Sequence, residues 1–159
     1  QTIMIEVTES ILILVDAMNK KLVDMHKNIA KLLKLNFCKI LNQDRFGFYA
    51  VVNLREGKYK ILIDYSIKGH VDIYLFEPEI IVEDYTEIHT YGRKYHNAFR
   101  RELLKLCLDH PSKNEWDTSV ALIDSYIPWA SEWTEFYELW QLTGVWHGEG
   151  EHPNVEKDI

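Results

Sequence analysis

Residues 37–76 read FCKILNQDRFGFYAVVNLREGKYKILIDYSIKGHVDIYLF, and this stretch decides the fold. Four short runs rich in β-branched and aromatic side chains, 37–41, 46–54, 59–67 and 71–76, are parted by Asn42-Gln43-Asp44, Arg55-Glu56-Gly57 and Lys68-Gly69-His70. Such runs suit the pleated, half-buried surface of a strand, and the connectors carry turn-forming residues. The spacing predicts four consecutive antiparallel strands joined as hairpins, a β-meander.

Upstream, no Gly or Pro occurs before Gly47, and Ile11, Leu14, Val15, Met18, Leu22, Met25, Ile29, Leu32 and Leu33 recur at helical spacing. A long helix, or two joined ones, is expected, capped by Thr8 or Ser10 and carrying its lysines on the solvated side. Downstream, residues 77–104 show no clean period and contain Pro78 and Gly92; long irregular segments of this kind are often functional. Helical signals return near Asp117, break at Pro128, which suits a first helical turn, and end at Gly144, which suits a C-cap. Two closing helices are expected. The prediction is therefore an α+β chain: an N-terminal helix, a four-stranded antiparallel meander and C-terminal helices.

At 159 residues, with 47% apolar and 13% aromatic side chains, residues 1–159 are expected to fold as a single domain with a sizeable core. A net charge of -7 argues against general affinity for nucleic acid, which needs clustered cations. The apolar run at 11–15 is too brief to cross a bilayer, so no membrane partner is expected. Cys38 and Cys107 are the two cysteines, a usage that fits thiols of a reducing cytosol rather than a disulfide framework; a soluble, cytoplasmic protein is expected.

Cys107 is the candidate nucleophile. The thiolate is the reactive form of cysteine, and nearby cations favour it; Arg100, Arg101 and Lys105 precede Cys107. The alternative reading, a small buried hydrophobe between Leu106 and Leu108, stays open at this level. Cys38, beside Phe37 and Ile40, reads as a core residue. His89 could donate to a developing oxyanion or hold its loop through a backbone contact. Tyr91, His96 and Asn97 are further polar candidates, and Asp109 or His110 could orient or deprotonate an incoming amine. Cys107 and His110 form a Cys-x-x-His pair, but the remaining histidines fit no zinc module. The five tryptophans read chiefly as core, some of them partly exposed, and an exposed one would mark a partner site.

Several local sequences carry a resemblance: Ile88-His89-Thr90-Tyr91-Gly92, Leu106-Cys107-Leu108, Trp116, Ile127-Pro128-Trp129-Ala130-Ser131-Glu132-Trp133, Tyr137-Glu138-Leu139-Trp140 and Thr143-Gly144-Val145-Trp146-His147-Gly148. In these the chain resembles the bacterial ubiquitin-conjugating enzymes of CBASS, of the type II short form, or of related antiphage operons. The specific likeness covers roughly the C-terminal half.

The resemblance implies a ubiquitin-conjugating-like fold with Cys107 as thioester nucleophile and His89 in the segment that replaces the eukaryotic His-Pro-Asn motif. That motif is absent here, which leaves open the group that steadies the oxyanion. The implied cargo is the C terminus of a cGAS-like nucleotidyltransferase or of a ubiquitin-like protein, passed to target protein lysines. An activating enzyme would be a separate protein, docking by resemblance on the lysine-rich face of the first helix. No metal or organic cofactor is expected. The rival reading is a catalytically silent adaptor of the same fold. A buried Cys107 with no groove leading to it would favour the adaptor, and an exposed thiol beside a groove would favour the enzyme.

Overall fold

In the computed structural model, helix α1 (Glu9–Leu33) starts at Thr8, whose hydroxyl accepts from the Ile11 N–H at 3.3 Å. The structure describes residues 8–108 and 117–148. Asp109, His110, Trp116 and His152 therefore lie outside the described residues. After α1 come β1 (Cys38–Asp44), β2 (Gly47–Leu54), β3 (Tyr59–Ser66) and β4 (His70–Glu77), each antiparallel to the next, as the pattern predicts.

The meander is not the whole sheet. Residues expected to be irregular form a further hairpin, β5 (Thr90–His96) and β6 (Arg101–Leu106), preceded by a 3-10 turn at Tyr85–Ile88. β6 pairs with β4, so the sheet has six strands in the order β1-β2-β3-β4-β6-β5. The join is short, Tyr74 opposite Lys105 and Leu75 opposite Leu104, and it inserts the last strand before the fifth.

One sheet face supplies Ala50, Val52, Ile61, Ile63 and Leu75 to the main core, where Met25, Ile29 and Leu32 of α1 meet them. Helix α2 (Tyr126–Thr143) packs Ala130 and Trp133 into the same core. It ends as the sequence suggests, at Gly144 in the left-handed region (φ 74°), where a side chain would be strained. Pro128 lies in its first turn, where a missing N–H costs nothing. The expected second closing helix is instead one 3-10 turn at Leu122–Asp124.

That segment is held by side chains of α1 rather than by a helical ladder. Asn28, buried, donates from Nδ2 to the Asp24 carbonyl (3.2 Å) and the Thr118 carbonyl (3.3 Å), while its Oδ1 accepts from the Leu122 N–H at 2.8 Å. Thr118 Oγ1 donates to Asp24 Oδ2 at 3.0 Å. A further staple closes the β2–β3 turn onto α2: Glu138 Oε2 accepts from Arg55 (2.6 Å), Tyr59 (2.8 Å) and Lys58 (2.9 Å).

The first half of α1 departs from expectation. Ile11, Leu14, Val15 and Met18 continue the helical stripe, yet they are 46–64% exposed; packing against the main core begins at Leu22. No helix among the described residues is long and apolar enough to cross a membrane.

The Asn28 network gives a direct stability test. Asn28→Ala strips partners from a buried N–H and a buried carbonyl, a loss of about 2–3 kcal/mol, or roughly 5–10 °C in melting temperature for a chain of this size. Urea and thermal unfolding would measure it. A loss below about 0.5 kcal/mol, typical of a neutral surface change, would show that the network does not hold the 117–125 segment.

Candidate functional site

Cys107 follows directly on β6, and its position is fixed from two sides. Its N–H donates to the His89 carbonyl at 3.1 Å. Its Sγ lies 3.4 Å from the Tyr91 hydroxyl. Both partners come from the start of β5, where the chain does two unusual things.

His89 caps the 3-10 turn in the left-handed region (φ 52°, ψ 59°), a conformation that costs a non-glycine residue about 1–2 kcal/mol. The turn aims the His89 carbonyl at Cys107. The Trp133 indole N–H, reaching from α2, donates to the Ile88 carbonyl (2.8 Å) and also approaches the His89 carbonyl (3.3 Å). Thus the backbone of His89 meets both the cysteine and α2, while its ring stacks on Trp146 at 5.5 Å and 9°.

Tyr91 and Gly92 then form a β-bulge: Thr90 faces Leu106 and Arg93 faces Leu104, so two residues oppose Lys105 alone. Bulges re-aim side chains, and this one turns the Tyr91 phenol toward the thiol. Thr90 Oγ1 braces it, donating to the Tyr85 carbonyl (3.0 Å) and accepting from the Gly92 N–H (3.2 Å). Lys105, opposite the bulge, holds its ammonium 5.2 Å from the Tyr91 ring centre and pairs with Asp72 at 3.3 Å.

The cations named from the sequence do not act together. Lys105 alone is brought to the Tyr91 side of the site. Arg101 opens β6, about 20 Å of extended strand before Cys107, and spreads over the Phe76 ring at 4.2 Å. His96 is also displaced from the site: it is buried on the opposite sheet face, its Nε2 3.0 Å from Asp64 Oδ2. Asn97 follows it at the turn of the hairpin.

Cys107 is only 5% exposed, yet it lines an open cleft of about 70 Å³. One wall is His89, Cys107 and Leu108; the other is the Trp129, Glu132, Trp133 and Phe136 face of α2, with Trp146 closing in behind. Gly148 shapes the end. A Cβ there would stand 2.6 Å from the Trp146 indole nitrogen, so the chain can pass only as glycine unless the rings shift. Of the tryptophans, Trp133 is buried, as expected of a core residue, while Trp129 is 37% exposed at the cleft. The sequence signals the α2 wall through Trp129, Glu132, Trp133 and Phe136, spaced three and four apart on one helix face, which core packing alone seemed to explain.

A model of the type II CBASS E2 protein family matches residues 24–153. The chain belongs to this family. No curated protein matches it. Membership in the E2-CBASS family gives the protein an E2-like role in CBASS antiviral defence, with partners from the CBASS operon.

Cys38 has a different environment. It is half-buried against the main core, and burial pushes its thiol up to about 11. The two cysteines are not bridged. In a Cys107→Ala variant, iodoacetamide should label Cys38 slowly at pH 8, where about one thiol in a thousand is ionised, and the rate should rise about tenfold per pH unit to pH 10. A plateau near pH 9 would contradict the buried setting.

Proposed function

We propose that this E2-CBASS protein is a cysteine-dependent acyltransferase of ubiquitin-conjugating type. The observation that carries the reading is the Cys107 thiol itself, set between the Tyr91 hydroxyl at 3.4 Å and an open aromatic cleft. The Cys107 thiolate attacks the carbonyl carbon of an activated protein C terminus, supplied as an acyl adenylate or thioester. A C–S bond forms, and the activating group departs with its bonding electrons. An amine of the target then attacks the same carbon; the C–N bond forms, the nitrogen loses a proton and Cys107 leaves as thiolate. The cargo that fits the family is the C terminus of a cGAS-like nucleotidyltransferase; a ubiquitin-like protein is the other candidate. Activation falls to a separate enzyme, and the acceptor is a target protein lysine.

Tyr91 takes the part that an asparagine plays where His-Pro-Asn is present. Its hydroxyl sits where it can donate to the thiolate and, once the carbonyl is attached, to the oxyanion beside it. His89 takes a positioning role, because its carbonyl holds the Cys107 N–H and its ring lines the cleft. Asp109 and His110 follow within three residues of Cys107 and remain candidates for handling the incoming amine.

The low exposure of Cys107 favours a second reading, a silent adaptor that binds the synthase or a ubiquitin-like protein through the same surface. Co-expression with the operon neighbours separates the two. Intact mass should show a thiol-sensitive adduct with wild type and Cys38→Ala, and none with Cys107→Ala. Complex formation without any adduct, unchanged by Cys107→Ala, would establish the adaptor instead.

Tyr91→Phe tests the oxyanion role. Loss of one such donor should slow adduct formation roughly 10²-fold while leaving the melting temperature and the binding of the partner in place. An unchanged rate in single-turnover charging would remove Tyr91 from the mechanism.

A further inference from the structure

The cleft at Cys107 is aromatic on nearly every side and carries one carboxylate. Trp129, Trp133, Phe136 and Trp146 supply ring surface, and Glu132 stands exposed on the same helix face; among the described residues no Lys or Arg lines it. Ring faces carry negative electrostatic potential and attract organic cations, most strongly where water is excluded. A carboxylate beside them adds a full charge and a hydrogen-bond acceptor. The combination is selective: a neutral hydroxyl or thiol gains at most the hydrogen bond to the carboxylate, whereas an alkylammonium gains the charge attraction and the ring attraction as well.

The walls are also held in place before any ligand arrives. Trp133 stacks on Tyr137 (5.3 Å, 4°) with its N–H committed to the Ile88 carbonyl, and Trp146 stacks on His89. Phe136 and Trp133 each lie within 6 Å of Trp146, at 5.9 and 5.7 Å between ring centres. A ligand entering the cleft therefore meets rings that need little reordering, which removes part of the entropic cost of binding. The cleft is open and has room for the end of a flexible side chain.

From this arrangement we infer that Glu132 and the surrounding indoles form the acceptor site, which selects a lysine side chain and holds its ammonium beside the Cys107 thioester. The inference rests on the acyltransferase reading and deepens it. Glu132 is the residue that sets acceptor specificity. Glu132 holds the ammonium beside the thioester until one proton passes to water; the lone pair of the neutral amine then forms the C–N bond, the nitrogen gives its second proton to solvent, and Cys107 leaves as thiolate.

The first test needs no thioester. The full chain, labelled so that its indole N–H resonances report, is titrated with Nα-acetyl-lysine N-methylamide and with the neutral 6-hydroxynorleucine compound. The lysine compound should shift the Trp129 and Trp146 signals and bind about tenfold more tightly than the neutral one. Glu132→Gln should abolish that preference and Glu132→Asp should restore part of it. Equal binding of the two compounds, or a preference that survives Glu132→Gln, overturns the inference.

The second test reads transfer. Cys107 is charged by exchange with the mercaptoethanesulfonate thioester of acetyl-Gly-Gly, and discharge is followed by intact mass. Glu132→Gln should slow discharge to the lysine compound about tenfold, chiefly through a raised half-saturation concentration, and leave discharge to hydroxylamine unchanged. Equal slowing with both nucleophiles would mean a merely structural role and would overturn the inference. If Cys107 does not charge at all, the acyltransferase reading fails, while the titration still decides what Glu132 and the indoles bind.

Discussion

A single hydrogen bond from the Trp133 indole to the Ile88 carbonyl ties α2 to the turn that precedes β5, and the site is arranged around it. The bond lies in the core, where an unmet donor or acceptor costs the full penalty of desolvation. It therefore fixes the depth and rotation of α2 against the sheet. The neighbouring His89 carbonyl is approached by the same indole and accepts the Cys107 N–H, so the cysteine and the helix wall are set by adjoining peptide groups. His89 must adopt a left-handed backbone for this, and the core contacts on either side of it hold that conformation. The cleft is a consequence of the clamp: moving α2 would carry Trp129, Glu132 and Phe136 away from Cys107 together.

Much of the fold was legible because four strand-forming runs are parted by turn residues and the helices lack internal Gly. The meander runs matched their strands to within a few residues, since β-branched and aromatic side chains cluster in β2 and β3 between turn-forming residues. The β5–β6 hairpin was missed for a physical reason. Its turn uses Arg100 in the left-handed region (φ 53°) in place of the usual glycine, and the Tyr91-Gly92 bulge breaks the alternation of β5. In β6, Leu103 and Leu104 are both buried, because the sheet carries apolar contacts on both faces there. A strand covered on both sides shows no period of two. The expected helix after Asp117 failed similarly, since Asn28 and Asp24 supply the hydrogen bonds that a helical ladder would otherwise make, and α1 is distant in sequence.

The geometry of the candidate site was not legible in the sequence. Cys107, His89 and Tyr91 are drawn together by a bulge and a left-handed turn, neither of which leaves a strong sequence mark on non-glycine residues. His96 shows the converse. It looked like a polar loop residue near the thiol, but the curl of the hairpin lays it on the far face, ringed by Tyr49, Tyr74 and Phe99. There it meets Asp64, whose carboxyl burial pushes up while the His96 contact pulls down. The pair fastens the hairpin to β3 across β4, and a strand joined to its neighbour by so short a ladder has need of that second attachment.

Burial of Cys107 and a thioester role are compatible if the attached acyl group and the attacking group arrive from different sides. The Tyr91 side of the residue faces the Lys105–Asp72 pair, whereas the α2 side is walled by aromatic rings and Glu132. A second cavity, of about 100 Å³ and lined by Tyr91, Lys105, Leu106 and Leu108, opens on the Tyr91 side. Leu108 lines both spaces and stands between them. On the proposed reading the acyl oxygen would face Tyr91 and the amine would come through the rings. Water is then kept from the thioester by the group that is to replace it. A fully exposed thiol would charge more readily, but its thioester would be lost to hydrolysis at a rate that an aromatic wall suppresses.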